Sequence, residues 1–274
     1  MNRALWKKAV SEAWFQLTIS SILLVAFSWL FVWLMSLFKI GAWGTLLNLL
    51  PSFVEPMLGI PLAKLATPTG QISILYVHVI TLLVCIGWAV GRGSEVVSGE
   101  IARGTMDLLL SLPIRRVEVL VVAAVVATLG AAILAGSVWL GSCIGLMTID
   151  LPGTVAPQKL IAGAVNLFAM TACLTGITTF LSSWDHDRWR TIWLAGGFFA
   201  VSSVIEMTSR MWPSGAWLKY FTFLTAFEPQ RLILVPPESW WGSVKPDLLL
   251  LSLGLIAYAA AAIVLSTRDI PAAL

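Results

Sequence analysis

The sequence predicts an all-α, polytopic membrane protein with six transmembrane helices, and three observations carry that prediction. Of 274 residues, 58% are apolar and only 11% are charged, against about 25% charged in an ordinary soluble domain. The mean hydropathy is +0.90. Six apolar stretches have roughly the 20-residue length that a helix needs to cross a hydrocarbon core. With so few charges, most of the surface must face lipid, which excludes a disordered chain, a nucleic-acid binder and a cytosolic enzyme. The formal net charge of +3 is scattered along the chain and implies no polyanionic partner such as nucleic acid.

The opening segment, residues 1–16, has Leu5, Lys7, Lys8 and Trp14 spaced for a short interfacial helix. Its lysines would face lipid phosphate, with Trp6 and Trp14 toward acyl chains; a simple basic anchor is the alternative. The apolar run that follows is longer than a signal-peptide core and lacks a small-residue cleavage pattern before Phe38, so the N-terminus is expected to be retained. Spans are expected at Leu17 to Phe38, Ile72 to Val90, Val117 to Met147, Leu160 to Leu181, Thr191 to Ile205 and Leu248 to Leu265. The third is long enough to tilt or project beyond the bilayer, and the fifth is short.

Six spans place both termini on one side. Termini inside puts Arg3, Lys7, Lys8, Arg92, Arg103, Arg115, Arg116, Arg188, Arg190 and Arg268 on the inner face. Lys39, Lys64, Lys159, Arg210, Lys219, Arg231 and Lys245 then lie outside. The inner segments are shorter, so their positive charge is roughly twofold denser, which predicts cytoplasmic termini. The outer segment Thr208 to Pro246 includes the greasy run Trp217 to Phe227, ended by Glu228-Pro229. Such a run is expected to dip into the outer leaflet or to pack on the spans. Trp43, Trp184, Trp189, Trp212, Trp240 and Trp241 fall near the expected interfaces, as an aromatic belt would.

Several chemistries are missing. The chain has no Gly-x-x-x-x-Gly-Lys-[Ser/Thr] loop with which to cradle nucleotide phosphates, and no His-Glu-x-x-His. Cys85, Cys143 and Cys173 lie inside apolar runs and read as packing residues. His78, the only histidine at membrane depth, is either a core residue or the base of an intramembrane hydrolase. No expected span has a charge near its middle, since Glu118, Glu206 and Asp247 sit at ends, which argues against ion-driven transport. Asn166, Thr171, Thr175, Thr178 and Thr179 recur along the fourth stretch as helix-packing residues or as the lining of a substrate path. Gly87-x-x-x-Gly91, Gly141-x-x-x-Gly145 and Gly196-Gly197 offer close helix contacts.

The inner loop between the second and third stretches, 92–116, is the most organised polar segment. It reads as two short helices meeting at an angle. Gly104 would cap the end of the first, Thr105 would cap the amides of the second, Asp107 would face the dipole of its first turn, and Pro113 would stop it. Leu108, Leu109, Leu110 and Leu112 then need a surface to pack on, either a partner's or this protein's own inner face.

Glu100-x-x-x-Gly104-Thr105-Met106-Asp107-Leu108-Leu109-Leu110-Ser111-Leu112-Pro113-Ile114-Arg115-Arg116 resembles the segment after the second span in permease subunits of type 2 ATP-binding-cassette exporters. Ser266 to Ile270 is similar to that family's basic-Asp-apolar ending, and Phe223 to Pro229 to its outer segment before the last span. The resemblance implies a single permease domain over 1–274 in a bacterial-type inner (plasma) membrane. It further implies a transporter subunit that is not itself an enzyme, with ATP and Mg bound by a partner ATPase subunit and with a second permease, identical or homologous, as its other partner. On this resemblance Glu100, Arg103 and Asp107 make polar contacts to the ATPase. Leu108, Leu109 and Leu112 pack on it, and Gly104, Thr105 and Pro113 shape the elbow. The other readings of the chain are an intramembrane enzyme and a non-transporting scaffold or assembly factor.

Overall fold

A computed structural model describes residues 3–37, 44–45, 47, 49–51, 53–106, 115–151 and 153–267. The described residues are 86% helical, with no strand among them. Six helices are long and apolar enough to cross a membrane: α1 (Arg3–Ser36), α2 (Pro68–Ala102), α3 (Arg116–Thr148), α4 (Pro157–Trp184), α5 (Arg188–Met211) and α6 (Trp240–Thr267). The chain is an integral membrane protein. Trp184, Trp189 and Trp193 are exposed where α4 meets α5, and Trp212, Trp217, Trp240 and Trp241 at the other end, which places indoles near both interfaces.

Observed boundaries differ from expectation where the local sequence contains no breaker. Residues 3–16 hold neither Gly nor Pro, so α1 runs unbroken for 34 residues. At 1.5 Å per residue it is about 50 Å long, against a hydrocarbon core of about 30 Å. The interfacial helix expected for 1–16 is therefore the projecting first turns of α1. In α2 the break falls at His78, whose Nδ1 accepts from the Ile80 amide at 3.3 Å and caps the stretch Val79–Ser94. The imidazole packs against Phe27 and Phe31, at centroid distances of 4.9 and 5.6 Å. Helix α5 continues to Met211 and α6 starts at Trp240, running through Pro246. Asp247, expected at a span end, accordingly lies inside α6 and is buried.

Helix α4 is the centre of the bundle. Of its apolar window 72% is buried, against 17% to 39% in the other five spans. Its small residues let neighbouring backbones approach closely. A Cβ on Gly176 would lie 2.5 Å from the Gly254 carbonyl of α6, and one on Gly254 would lie 3.0 Å from Cys173 Cα. Gly93 of α2 faces Thr178 in the same way. Helices α1 and α3 meet at Gly141 and Gly145, against Val25 and Val32. The other two glycine pairs do not match expectation. Gly87, Gly196 and Gly197 have no atom within 4 Å of where a Cβ would stand, and Gly91 has only the flexible Gln16 amide. Their spacing resembled a packing motif, but no backbone of another described helix comes within 4 Å of a Cβ at these positions.

Both ends of the described chain lie at one end of the bundle. Leu5 of α1, Val97 of α2, Met106, Leu120 of α3 and Leu265 of α6 form one apolar cluster there. At the opposite end the greasy run folds back onto the spans. It forms 3-10 turns at Pro213–Phe221 and Phe223–Ala226, followed by a short helix at Pro229–Leu234. Phe223 stacks on Phe198 of α5 at 5.6 Å, and the Thr222 hydroxyl donates to the Ser202 carbonyl at 3.1 Å. Cys85, Cys143 and Cys173 are buried free thiols.

Backbone contact at Gly176 has a measurable consequence. Gly176→Ala should destabilise the purified protein by about 1–3 kcal/mol through overpacking. Gly196→Ala should be neutral or stabilise by up to about 1 kcal/mol through helix propensity. Thermal unfolding in detergent reads both, and equal behaviour of the two variants would contradict the packing.

Candidate functional site

The end of α2 is built unlike the rest of the bundle. After Val79–Ser94 the helix widens into a π turn, Glu95–Gly99, before its last residues, Glu100–Ala102. Single π turns inside α-helices often mark functional positions. Here the amides of Val97 and Ser98 donate to the Ser182 hydroxyl of α4 at 3.3 and 2.9 Å. Ser98 donates to the Ser94 carbonyl at 2.9 Å, and Thr191 of α5 donates to Ser98 at 3.0 Å. All four hydroxyl residues are buried. The π turn thus joins α2, α4 and α5 through polar contacts with no access to water.

Two glutamates continue that junction outward. Glu100 has only 5% of its side chain exposed, and a carboxylate that buried needs several donors. It has three: Lys8 Nζ of α1 at 2.6 Å, Arg103 Nη2 at 2.8 Å and the Thr105 hydroxyl at 2.6 Å. Glu95 pairs with Arg103 Nη1 and, at 2.6 Å, with Arg188 Nη2 of α5. Arg103 therefore bridges both carboxylates. Burial alone would lower its pKa, but Glu95 and Glu100 outweigh that and raise it, so the bridge stays charged. A cavity of about 40 Å³, lined by Lys8, Glu12, Arg92, Glu95 and Glu100, lies beside the cluster.

The chain then turns at Gly104, whose φ of 68° favours glycine. The Gly104 amide donates to the Ile101 carbonyl at 2.9 Å and the Thr105 amide to the Glu100 carbonyl at 3.0 Å, the paired bonds of a Schellman cap. The first of the two helices expected in the loop is thus the continuation of α2, held to α1 and α5, and it ends at Gly104; the second falls on residues 107–114, outside the described residues. The Thr105 hydroxyl points back to Glu100 instead of onward. Asp107, Leu108, Leu109, Leu110, Leu112 and Pro113 lie outside the described residues, as does Arg268 to Ile270.

The second group of expected site residues is brought together by α4 but not around an opening. Asn166, Thr171, Thr175 and Thr178 are all fully buried. Each threonine hydroxyl donates to the carbonyl four residues earlier, at 2.7 to 2.8 Å, which satisfies it within its own helix. Asn166 donates to the Ala226 carbonyl at 3.0 Å and to Asp247 Oδ1 at 2.7 Å, and accepts from the Glu228 amide at 2.9 Å. It clamps α4 to the opposite-end segment and to α6. A polar stripe marks the centre of a bundle as readily as a path through it, and here neighbouring spans cover the stripe.

Sequence reasoning missed Lys8, Glu95, Arg188, Ser98, Ser182 and Thr191. Lys8 was expected to face lipid phosphate, yet it is committed to Glu100. The available signal was the run of serines and glutamates at 94–100, which carries more polar groups than a span can leave unpaired. Among the described residues no group of three or more His, Cys, Asp or Glu could hold a metal ion. No family model matches the chain, and no curated protein is significantly similar to it.

If the junction is one coupled unit, a double-mutant cycle will show it. Lys8→Ala and Glu100→Gln should give a coupling energy of about 1–2 kcal/mol in unfolding experiments, decreasing at high salt. Strictly additive effects would show that Lys8 is no part of the Glu100 site.

Proposed function

We propose that this chain is the membrane-spanning permease subunit of a type 2 ATP-binding-cassette exporter. In this reading a separate ATPase subunit binds ATP and Mg and docks on the elbow after α2. The end of the bundle that holds both chain ends faces the cytoplasm, in a bacterial-type inner membrane. A second permease, identical or homologous, and membrane lipid are the other partners.

The observation that carries the proposal is the construction of the elbow. A segment that receives force from a soluble motor must be stiff and anchored to several spans, or the push dissipates in local bending. Glu100 and Glu95 anchor the turn to α1 and α5, and the π turn anchors it to α4 through Ser182. Motion of Gly104-Thr105 would be delivered to four helices together. The chain has no P-loop of its own, so the energy must come from elsewhere, and the segment resembling the family's coupling loop, Glu100 to Arg116, begins at this anchored turn. His78, the candidate base of an enzymatic reading, spends Nδ1 on a helix cap, which lends that reading no support.

Purification of the tagged protein in mild detergent, with mass spectrometry of what stays bound, tests the proposal. The expected result is a stoichiometric soluble protein bearing a P-loop, released when Leu108 and Leu109 are both changed to Asp. Gly104→Pro should abolish stimulated ATP hydrolysis while leaving membrane insertion intact. Recovery of no ATPase from membranes that retain other such complexes would refute the assignment.

A further inference from the structure

At the end of the bundle away from Glu100 lies an open cavity of about 1180 Å³. Its walls come mainly from α5, the 3-10 turns after it, the short helix Pro229–Leu234 and the start of α6, with Leu58, Val77 of α2 and Ile177 of α4 also lining it. Small-molecule sites usually occupy about 300–1,000 Å³, so a headgroup and part of an acyl chain fit here. The cavity has two kinds of wall. One is apolar, with Phe198, Phe221, Phe227, Leu249 and Leu253. Tyr220 and Phe221 are 80% and 70% exposed there, an unusual state for aromatic rings that have spans to pack against.

The other wall is charged, and its charges do not balance. Glu206 pairs with Arg210 at 2.8 Å and accepts the Thr225 hydroxyl at 2.6 Å. Glu228 pairs with Arg231 at 2.8 Å. Both carboxylates lining the cavity are thereby used. Lys219 and Lys245 line it as well and have no carboxylate partner among the described residues; Lys219 Nζ sits 5.2 Å over the Tyr220 ring. Four cations thus face two carboxylates, beside an aromatic wall.

We propose that this cavity binds an amphipathic anion, a phosphate or carboxylate headgroup joined to an apolar chain, with Lys219 and Lys245 as its charge partners. An inorganic anion would leave the aromatic wall unused, and an uncharged amphiphile would leave both ammonium groups without a counter-charge. The ligand can come from two sources, an anionic lipid of the surrounding leaflet or a free amphiphile. Binding here does not depend on ATP coupling, so the two proposals fail separately.

The test uses the full chain in phosphatidylcholine nanodiscs without any ATPase. Radiolabelled dodecyl phosphate is the probe, with its partitioning into empty discs subtracted. Saturable binding is expected. Lys219→Gln/Lys245→Gln should weaken it about tenfold, in line with the loss of charge-assisted contacts, and Lys219→Arg/Lys245→Arg should restore it. Dodecyl maltoside, with an uncharged headgroup, should compete no better against the parent than against the Gln variant. Competition by added phosphatidylglycerol would name lipid as the source, and its absence a free amphiphile. Equal binding to the parent and Gln proteins, or no saturable binding, would overturn the site.

Discussion

A polar group inside a bilayer has no water to bond with, and α4 carries Asn166, four threonines and two adjacent serines through the middle of the structure. Their solution organises the bundle. The four threonines bond back to their own helix and become neutral packing surface. That lets α2 and α6 close on α4 with glycine at the contacts, as at Gly93 against Thr178 and Gly176 against Gly254. Only the two ends of α4 send polar side chains outward. Asn166 holds the segment after α5 and α6, and Ser182 holds the π turn of α2.

This arrangement gives the two ends different characters. Where the two ends of the described chain meet, Glu100 is buried under three donors and the turn is fixed by a Schellman cap. Breaking one such contact leaves a charge without compensation, so the turn after α2 is held to α1 and α5. At the far end the ion pairs line an open cavity, two lysines have no carboxylate partner among the described residues, and aromatic rings stay exposed. One end is closed by buried and paired charge, and the other is open. The helices that run between them, α4 and α5, contribute residues to both.

Much of the fold was legible because lipid imposes a strong filter on sequence. Runs such as Val117 to Met147 allow one outcome, and the observed helix agrees to within a residue at each end. The cap at Gly104 was legible because only a left-handed position calls for glycine there. The partners of Glu100 were not, because Lys8 stands 92 positions away and nothing in a lysine's local sequence says whether it faces lipid headgroups or a buried carboxylate. The π turn was equally hidden, since it exists only because Ser182 is positioned to receive two amides.

The sequence by itself determined that this chain is a six-helix membrane protein, where each span broadly lies, and that one polar loop is tightly punctuated. Those properties depend on hydropathy, length and backbone stereochemistry, which are local. Tertiary structure alone decided which glycines are contacts, that the threonine stripe is buried, that Asp247 is buried, and that Glu95 and Glu100 tie the turn after α2 to α1 and α5. Each of these depends on which surfaces meet across the bundle. Desolvation then decides whether the same side chain becomes a packing surface, a clamp or a free charge.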